Sequence, residues 1–202
     1  GTEIWRHRQN RCNGGAGGMA VDTFDFYAPI SENLYASASI ATEVTNWKAT
    51  GIHGYNFTPI INENLVVYGC ENHIRAVNRN TGENVWYFSN GPNTDKHQIS
   101  SPAIGDVNIS GTDTKIAVYA QLTGNIFGLD ALDGSEIWHF SGAGTFESSP
   151  AIADTMVYIG NNDGFLYAVN AKDGTEEWKW DAGASIYSSP LPDDGVIYVG
   201  CD

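Results

Sequence analysis

The sequence predicts an all-β fold, a β-propeller of four-stranded antiparallel blades. The first observation is a set of prolines that recur at intervals of 43, 48 and 40 residues, namely Pro59, Pro102, Pro150 and Pro190. The second is a set of tryptophans that follow at intervals of 52 and 40 residues, namely Trp86, Trp138 and Trp178. The third is an alternation of apolar and polar residues between glycine-containing turns. A period of about 40 residues is typical of one four-stranded blade.

The clearest copy of the repeat shows how four strands arise. The segments that align with the other copies are residues 149–152, 156–160, 163–170 and 173–178. Asp163-Gly164 and Asp173-Gly174 begin the later two segments, and Asp-Gly pairs favour tight hairpins because glycine adopts positive φ at little cost. Each Trp then offers a rigid face for packing between neighbouring blades, while the Gly four residues earlier makes the preceding turn. We assign these structural roles to Trp86, Trp138, Trp178, Gly82, Gly134 and Gly174.

The repeat divides the chain into five parts. We predict a degenerate blade with an irregular loop over residues 1–54, regular blades over 55–96, 97–145 and 146–185, and a truncated blade over 186–202. In the first part, residues 28–30 and 33–37 echo the first two strands of a blade, and only 18 residues separate Pro29 from Trp47. This short spacing predicts that a hairpin is missing there.

The two ends of the sequence both match partial blades. Residues 1–5 resemble the closing strand around Trp138, and residues 195–202 resemble the first half of a blade. The chain thus carries about four to five blades. Either its ends combine into one composite blade, or it is a piece of a larger ring of seven or eight blades. We favour the larger ring.

Composition narrows the classes of partner. The net charge of −14 and the pI near 4.5 disfavour nucleic acid and anionic membranes, because cationic side chains supply most of the affinity for both. No apolar stretch reaches the roughly 20 residues of a transmembrane helix, and no signal sequence opens the chain. Three cysteines, Cys12, Cys70 and Cys201, cannot all pair with one another. At least one thiol is therefore free or pairs outside the chain.

The closing segments of the blades carry a family resemblance. Residues 76–86 and 168–178 resemble the tryptophan-docking motif of the pyrroloquinoline-quinone-like, or quinoprotein-like, propeller repeat, and residues 128–138 are a close variant. The resemblance extends well over residues 55–202 and poorly over the first 54. The family includes quinone-dependent alcohol dehydrogenases, outer-membrane assembly lipoproteins and sensor ectodomains. It implies the propeller fold and an extracytoplasmic location, secreted or periplasmic, but no single activity.

Two functions follow from that resemblance. The first is a non-catalytic scaffold that binds a protein, a small molecule or a carbohydrate at one mouth of the ring. The second is a fragment of a dehydrogenase for alcohols or polyols, which would use pyrroloquinoline quinone (PQQ) and calcium as cofactors. Family dehydrogenases combine these cofactors with a catalytic Asp and often a vicinal disulfide. The sequence has no Cys-Cys pair and no Asp that matches the catalytic one, so we favour the scaffold.

The residues before each Ser-Pro or Thr-Pro strand are predicted to lie at the mouth of the axial channel, if the innermost strand comes first as the family resemblance implies. Successive blades could then direct polar side chains toward one central point. The predicted ligand-binding residues are Tyr55, His97, Gln98, Glu147 and Tyr187, while their neighbours Asn56, Phe146 and Ile186 occupy the same stretches.

An insertion in the third blade suggests a metal site. Residues 105–114 resemble the calcium loops inside some propeller blades, in which alternating oxygen side chains wrap a hard cation. The candidate ligands are Asp106, Asn108, Ser110 and Asp113. Ser110 replaces an expected carboxylate, and an extended hairpin without metal is the simpler interpretation. Asn56 and Asn108 also begin N-x-S/T sequons and are possible N-glycosylation sites.

Overall fold

The structure is a computed structural model that describes residues 20–21, 26–30, 33–38, 44–50, 58–70, 73–89 and 100–202. These residues form antiparallel β-sheets and contain no helix. Four sheets have four strands each, and a fifth has two, and in every sheet neighbours in sequence are neighbours in space. The predicted all-β propeller of four-stranded blades is confirmed.

We number the blades one to five in chain order. Blade one contains β1 (Ala20–Val21), β2 (Phe26–Ile30), β3 (Asn33–Ala38) and β4 (Val44–Thr50). Blade two contains β5 (Ile60–Asn62), β6 (Leu65–Cys70), β7 (His73–Asn78) and β8 (Asn84–Ser89). Blade three contains β9 (Ala103–Ile109), β10 (Thr112–Ala120), β11 (Asn125–Asp130) and β12 (Glu136–Ser141). Blade four contains β13 (Ala151–Ala153), β14 (Met156–Gly160), β15 (Phe165–Asn170) and β16 (Glu176–Asp181). Blade five contains β17 (Leu191–Asp193) and β18 (Val196–Tyr198).

Blade one corrects a prediction. The sequence suggested that a hairpin was missing between Pro29 and Trp47, but the sheet has four strands. Pro29 lies in the second strand and not in the first, and the first strand is the two-residue segment Ala20–Val21. Trp47 lies in the fourth strand, as expected, opposite Ala36. The prediction was wrong because the proline was aligned with the repeat's Ser-Pro strand, whereas here it pairs with Leu34 of β3.

The turns explain why glycine and acidic residues separate the strands. Gly124 and Gly164 have φ of +85° and +90° between the second and third strands of their blades. Between the first and second strands, Glu63, Ser110, Asp154 and Asp194 adopt φ of +45° to +54°. Non-glycine residues are uncommon in this left-handed region. The hairpins of each blade are therefore determined by residues in the turns themselves.

Apolar side chains fill the space between adjacent blades. One cluster joins blades three and four and includes Ile116, Trp138, Val157 and Val169, all at most 5% exposed. A second cluster joins blades two and three, where Tyr119 stacks on Phe127 with ring centroids 5.3 Å apart. The hydrophobic cores thus lie between sheets, which is the stacking that a propeller requires.

The closing tryptophans of blades one, two and three each dock on the following blade. The indole N–H of Trp138 donates to Ala171 O at 2.8 Å, and that of Trp86 donates to Ala131 O at 3.2 Å. Trp47 makes the corresponding bond to Arg79 O at 2.7 Å. The three indoles thus occupy corresponding places in successive blades. Their side chains are 5 to 8% exposed.

The glycine of each closing turn receives the indole from the blade before it. A Cβ at Gly82 would lie 2.5 Å from Trp47, and one at Gly134 would lie 2.6 Å from Trp86. A Cβ at Gly174 would lie 2.8 Å from Trp138. Each glycine also has positive φ, from +72° to +76°. These glycines, predicted to form turns, therefore also admit a neighbouring indole.

Hydroxyl groups link the first strands of successive blades. Ser101 Oγ accepts from Thr58 N at 2.7 Å, Ser149 Oγ accepts from Ser101 N at 2.9 Å, and Ser189 Oγ accepts from Ser149 N at 3.1 Å. The first strands of neighbouring blades also lie close together. The first strand of each blade is therefore the one that contacts its equivalents, as the innermost strand of a propeller does.

The preceding serine of each Ser-Ser pair closes its own blade. Ser148 Oγ donates to Gly160 O and accepts from Gly160 N, both at 2.9 Å. Ser100 makes the same two bonds with Ala120, and Ser188 makes them with Gly200. Ser100 and Ser148 are at most 1% exposed. The first serine thus satisfies main-chain groups at the end of the second strand, and the second serine joins the blades.

Candidate binding surface at the ends of the blades

Alternating strand direction places the connections on two faces. The loops between the second and third strands, and those that lead to the next blade, share one end, which we call the upper face. Its described connections are residues 121–124, 142–148, 161–164 and 182–188. The turns after first and third strands share the opposite end, which we call the lower face. The predicted ligand-binding residues Glu147 and Tyr187 belong to the upper face.

The upper-face connections alternate buried and exposed residues. Phe146 and Ile186 are fully buried, while Tyr187 is 45% exposed and Glu147 is half-buried. Phe146 packs against Tyr167 with ring centroids 5.6 Å apart. The apolar residue of each pair therefore anchors the loop, and the following residue is presented to solvent. All four residues were predicted to lie at the channel mouth, although the order within each pair, with the apolar residue first, already indicated which one is buried.

Asn161 and Asn162 hold two of these connections in place. Asn162 Oδ1 accepts from Thr145 N at 2.8 Å, and Asn162 N donates to Thr145 O at 3.1 Å. Asn162 O accepts from Ser185 Oγ at 2.8 Å, and Asn161 O accepts from Ile186 N at 3.1 Å. The turn within blade four thus fixes both the loop that enters this blade and the loop that leaves it. The residues that follow, Glu147 and Tyr187, are displayed from a preorganised backbone.

A polar groove of about 380 Å³ lies beside these loops, lined by Asn162, Asp163, Asp181, Gly183 and Ser185 among others. Asp163 Oδ2 accepts from the Tyr167 hydroxyl at 2.6 Å. Burial, together with that bond, raises the pKa of Tyr167. The described connections of the upper face contain acidic residues and no lysine or arginine. This face suits a partner with hydrogen-bond donors or positive charge.

Several predicted site residues lie outside the described ranges. Tyr55, His97 and Gln98 of the channel mouth are among them, as is the sequon residue Asn56. Whether they meet Glu147 and Tyr187 stays a prediction.

Cys201 is a free, exposed thiol. Within the described part of the chain, no three His, Cys, Asp or Glu side chains form a group suited to a metal ion.

The candidate calcium ligands lie on a long β-hairpin of the lower face. Ser110 and Gly111, with φ of +52° and +88°, form its two-residue turn. Asn108 Nδ2 donates to Asp113 Oδ1 at 2.7 Å, and the Lys115 ammonium lies 2.8 Å from Asp106 Oδ1. That contact raises the pKa of Lys115. Asn108 and Asp113 are thus hydrogen-bonded to each other across the strands, and Asp106 forms an ion pair with Lys115. The calcium site remains a prediction, as does glycosylation of Asn108.

An apolar groove of about 650 Å³ marks the last complete blade. It is lined by Leu166, Trp178, Trp180, Ile197 and Tyr198 among others. Trp178 is 41% exposed, unlike the three indoles that dock on a following blade. The lining residues come from blades four and five, so the groove lies between these two blades.

No helix in the described ranges is long and apolar enough to span a membrane.

Comparison with solved structures shows the same fold in a natural protein and in two designed ones. BamB from Moraxella catarrhalis superposes with a TM-score of 0.71 at 18% sequence identity, over 92% of this chain and 54% of that one. This chain therefore spans about half the length of that protein. The computationally designed Ika4 protein matches with a TM-score of 0.58 at 15% identity, over 71% of this chain and 82% of its own. The designed Ika8 protein matches with a TM-score of 0.53 at 12% identity, over 93% of this chain and 68% of its own.

The sequence matches one family over nearly its whole length. A search of curated proteins found no match. A protein family described as outer membrane protein assembly factor BamB matches residues 1–141 and, in a second alignment, residues 122–201. The predicted PQQ-like repeat is thereby confirmed. The chain belongs to the PQQ-like repeat propeller family that bears this description.

Proposed function

We propose that this chain is part of an extracytoplasmic propeller scaffold that binds a protein partner through its upper face. One observation carries the proposal. Three closing indoles and the paired Ser hydroxyls make contacts within or between blades, and the Gly of each closing turn admits a neighbouring indole, whereas Glu147 and Tyr187 are displayed from fixed loops. Loops positioned by a rigid scaffold are where propellers place their binding residues.

The family description supports a protein as the ligand. It names an outer membrane protein assembly factor, and the superposed natural protein is a BamB. Assembly is an activity exerted on other proteins, and a preformed surface suits it because little ordering entropy is lost on binding. The same description favours a location outside the cytoplasm.

The charge of the upper face favours a particular kind of partner. Glu147, Asp163, Asp181 and Asp202 contribute negative charge at this end of blades three to five, and the net charge of the chain is −14. Complementary charge accelerates encounter and repels acidic competitors. A partner with basic residues around an exposed apolar or aromatic contact fits Tyr187 and its surroundings.

Site-specific photocrosslinking in the organism that encodes the protein tests this proposal. Benzoylphenylalanine replaces Tyr187 in the complete gene product, and a matched variant carries it at Tyr87, a 65% exposed tyrosine on the outer strand of blade two. We expect a protein adduct of defined mass from Tyr187 and none from Tyr87, with Glu147→Lys reducing the yield. Equal adducts from both positions, or none from Tyr187, would contradict the proposal.

A second assay addresses the dehydrogenase alternative. The complete protein is incubated with PQQ and calcium, and both the absorbance of the bound quinone and dye-linked alcohol oxidation are measured. The scaffold proposal predicts no bound chromophore and no turnover. Stoichiometric quinone with turnover would establish the enzyme instead.

A further inference from the structure

The first hairpin of blade three is much longer than its equivalents. In blades two and four the first strand has three residues, whereas β9 has seven and β10 has nine. Four residue pairs, from Asp106–Lys115 to Ile109–Thr112, extend past the point where β11 ends opposite Ile116. At about 3.4 Å per residue this segment adds roughly 14 Å beyond the rest of the blade. We call residues 106–115 the lower hairpin.

The lower hairpin is rigidly built. Its two-residue turn has positive φ at both Ser110 and Gly111, which matches the twist of paired strands. Asn108 Oδ1 accepts from Gly111 N at 3.0 Å and its amide donates to Asp113. Val107 is 3% exposed and belongs to the core between blades three and four. The segment is therefore ordered without a partner, so that binding to it loses little conformational entropy.

One edge of this hairpin is left open by the part of the chain that the structure describes. Among those residues, β9 is the last strand of its sheet and pairs only with β10. A two-residue hairpin loop makes Ile109 and Thr112 a hydrogen-bonded pair, and such pairs alternate along the ladder. Asp106 and Asn108 therefore belong to the other kind of pair, and they direct their main-chain N–H and C=O groups away from β10. Unpaired edges of this kind receive a further strand in β-augmentation.

The charge along the lower hairpin selects the added strand. Asp106, Asp113 and Glu63 of blade two lie around the Lys115 ammonium, which is 2.8 Å from Asp106 and 3.9 Å from Glu63. The Arg79 guanidinium contacts the main chain of this cluster, donating to Glu63 O at 3.4 Å. Asp106 and Asn108 are exposed. Charged edges repel copies of themselves, which prevents edge-to-edge association. The same charges attract a strand of opposite sign.

We propose that the β9 edge of the lower hairpin binds an extended segment of a partner protein that carries Lys or Arg at alternate positions. Main-chain bonds to Asp106 and Asn108 supply the pairing, and the carboxylates on one side of the hairpin face the basic side chains. This surface lies at the opposite ends of the strands from the upper-face connections. The inference therefore goes beyond the proposed function and stands or falls separately from it.

The first test is fluorescence anisotropy with two labelled decapeptides, alternating Lys-Thr and alternating Glu-Thr. We expect the wild-type protein to bind the basic peptide at least about tenfold more tightly than the acidic one, with affinity falling as salt rises. Asp106→Asn with Asp113→Asn is expected to weaken binding about tenfold. Asp154→Asn, in the equivalent turn of blade four, is the matched control and is expected to leave binding unchanged.

A shortened variant tests whether peptide binding requires the β9 edge itself and not only the charges near it. Asn-Gly replaces residues 106–115 and joins Gly105 to Ile116, which face each other in the ladder and can close a two-residue turn. Loss of basic-peptide binding in a variant with wild-type circular dichroism supports the proposal, and undiminished binding overturns it. If the shortened chain fails to fold, hydrogen exchange decides. The amides of Asp106 and Asn108 must gain protection when the basic peptide binds the wild-type protein, and unchanged exchange refutes strand addition.

Discussion

Replacing Gly134 with alanine probes the contact on which blade stacking depends. The new Cβ would lie 2.6 Å from Trp86 Cε3 and 2.7 Å from Cδ2, where no real Cβ is found. Gly134 also has φ of +76°, a conformation that costs alanine about 1–2 kcal/mol. Overpacking against a rigid indole adds about 1–3 kcal/mol. We therefore expect Gly134→Ala to reduce the free energy of unfolding by about 2–5 kcal/mol.

Gly183→Ala is the matched control for the backbone term. Gly183 has φ of +77°, nearly the value at Gly134, but a Cβ there meets no atom within 4 Å. Only the conformational cost of about 1–2 kcal/mol then remains. Urea titration followed by circular dichroism measures both variants. The reasoning is refuted if the two substitutions lower the free energy of unfolding equally.

A double-mutant cycle identifies the partner of Gly134. In a Trp86→Ala background the obstructing ring is gone, so Gly134→Ala should cost only the backbone term. The coupling free energy between the two positions is then about 1–3 kcal/mol. A coupling near zero would mean that the new methyl group is accommodated elsewhere.

The remaining predictions concern buried polar groups, pH and metal. Ser148→Ala should lower stability by about 2–3 kcal/mol in urea titration, because it leaves the buried N–H and C=O of Gly160 without their partner. Tyr119→Phe should raise stability by about 1 kcal/mol, because the Tyr119 hydroxyl has no partner among the described residues. Burial raises the pKa of Tyr119, so this group should leave the free energy of unfolding unchanged below about pH 10 and lower it as pH rises further. The absorbance of ionised tyrosine at about 295 nm should rise together with unfolding. Calorimetric titration with calcium should show no binding, because Asp106 already pairs with Lys115. Calcium binding that Asp113→Asn abolishes would instead support the predicted metal site.

The repeat made most of the fold predictable from sequence. Proline and tryptophan spacing gave the blade period, and Asp-Gly pairs gave the hairpins, because both signals are local. The partner of each indole was not predictable in this way, since the glycine that receives Trp86 is Gly134, almost a whole blade later. The bonds between successive Ser-Pro strands were unpredictable for the same reason. Both belong to contacts that exist only after the blades stack.

The binding surface was harder to predict than the fold. The sequence placed Phe146 and Glu147 together at the channel mouth, but only their packing separates an anchor from an exposed residue. The insertion at residues 105–114 is evident in the sequence, but its oxygen-rich pattern suggested a metal loop. Pairing Asp113 with Asn108 and Asp106 with Lys115 requires the strand register, which depends on the position of the turn at Ser110. The register in turn revealed the open edge of β9.

The most direct test of the scaffold account is the photocrosslink from position 187 of the complete gene product. We expect one protein adduct of defined mass, absent from the Tyr87 control and diminished by Glu147→Lys. No adduct at position 187, or equal adducts at positions 187 and 87, would contradict a protein-binding upper face.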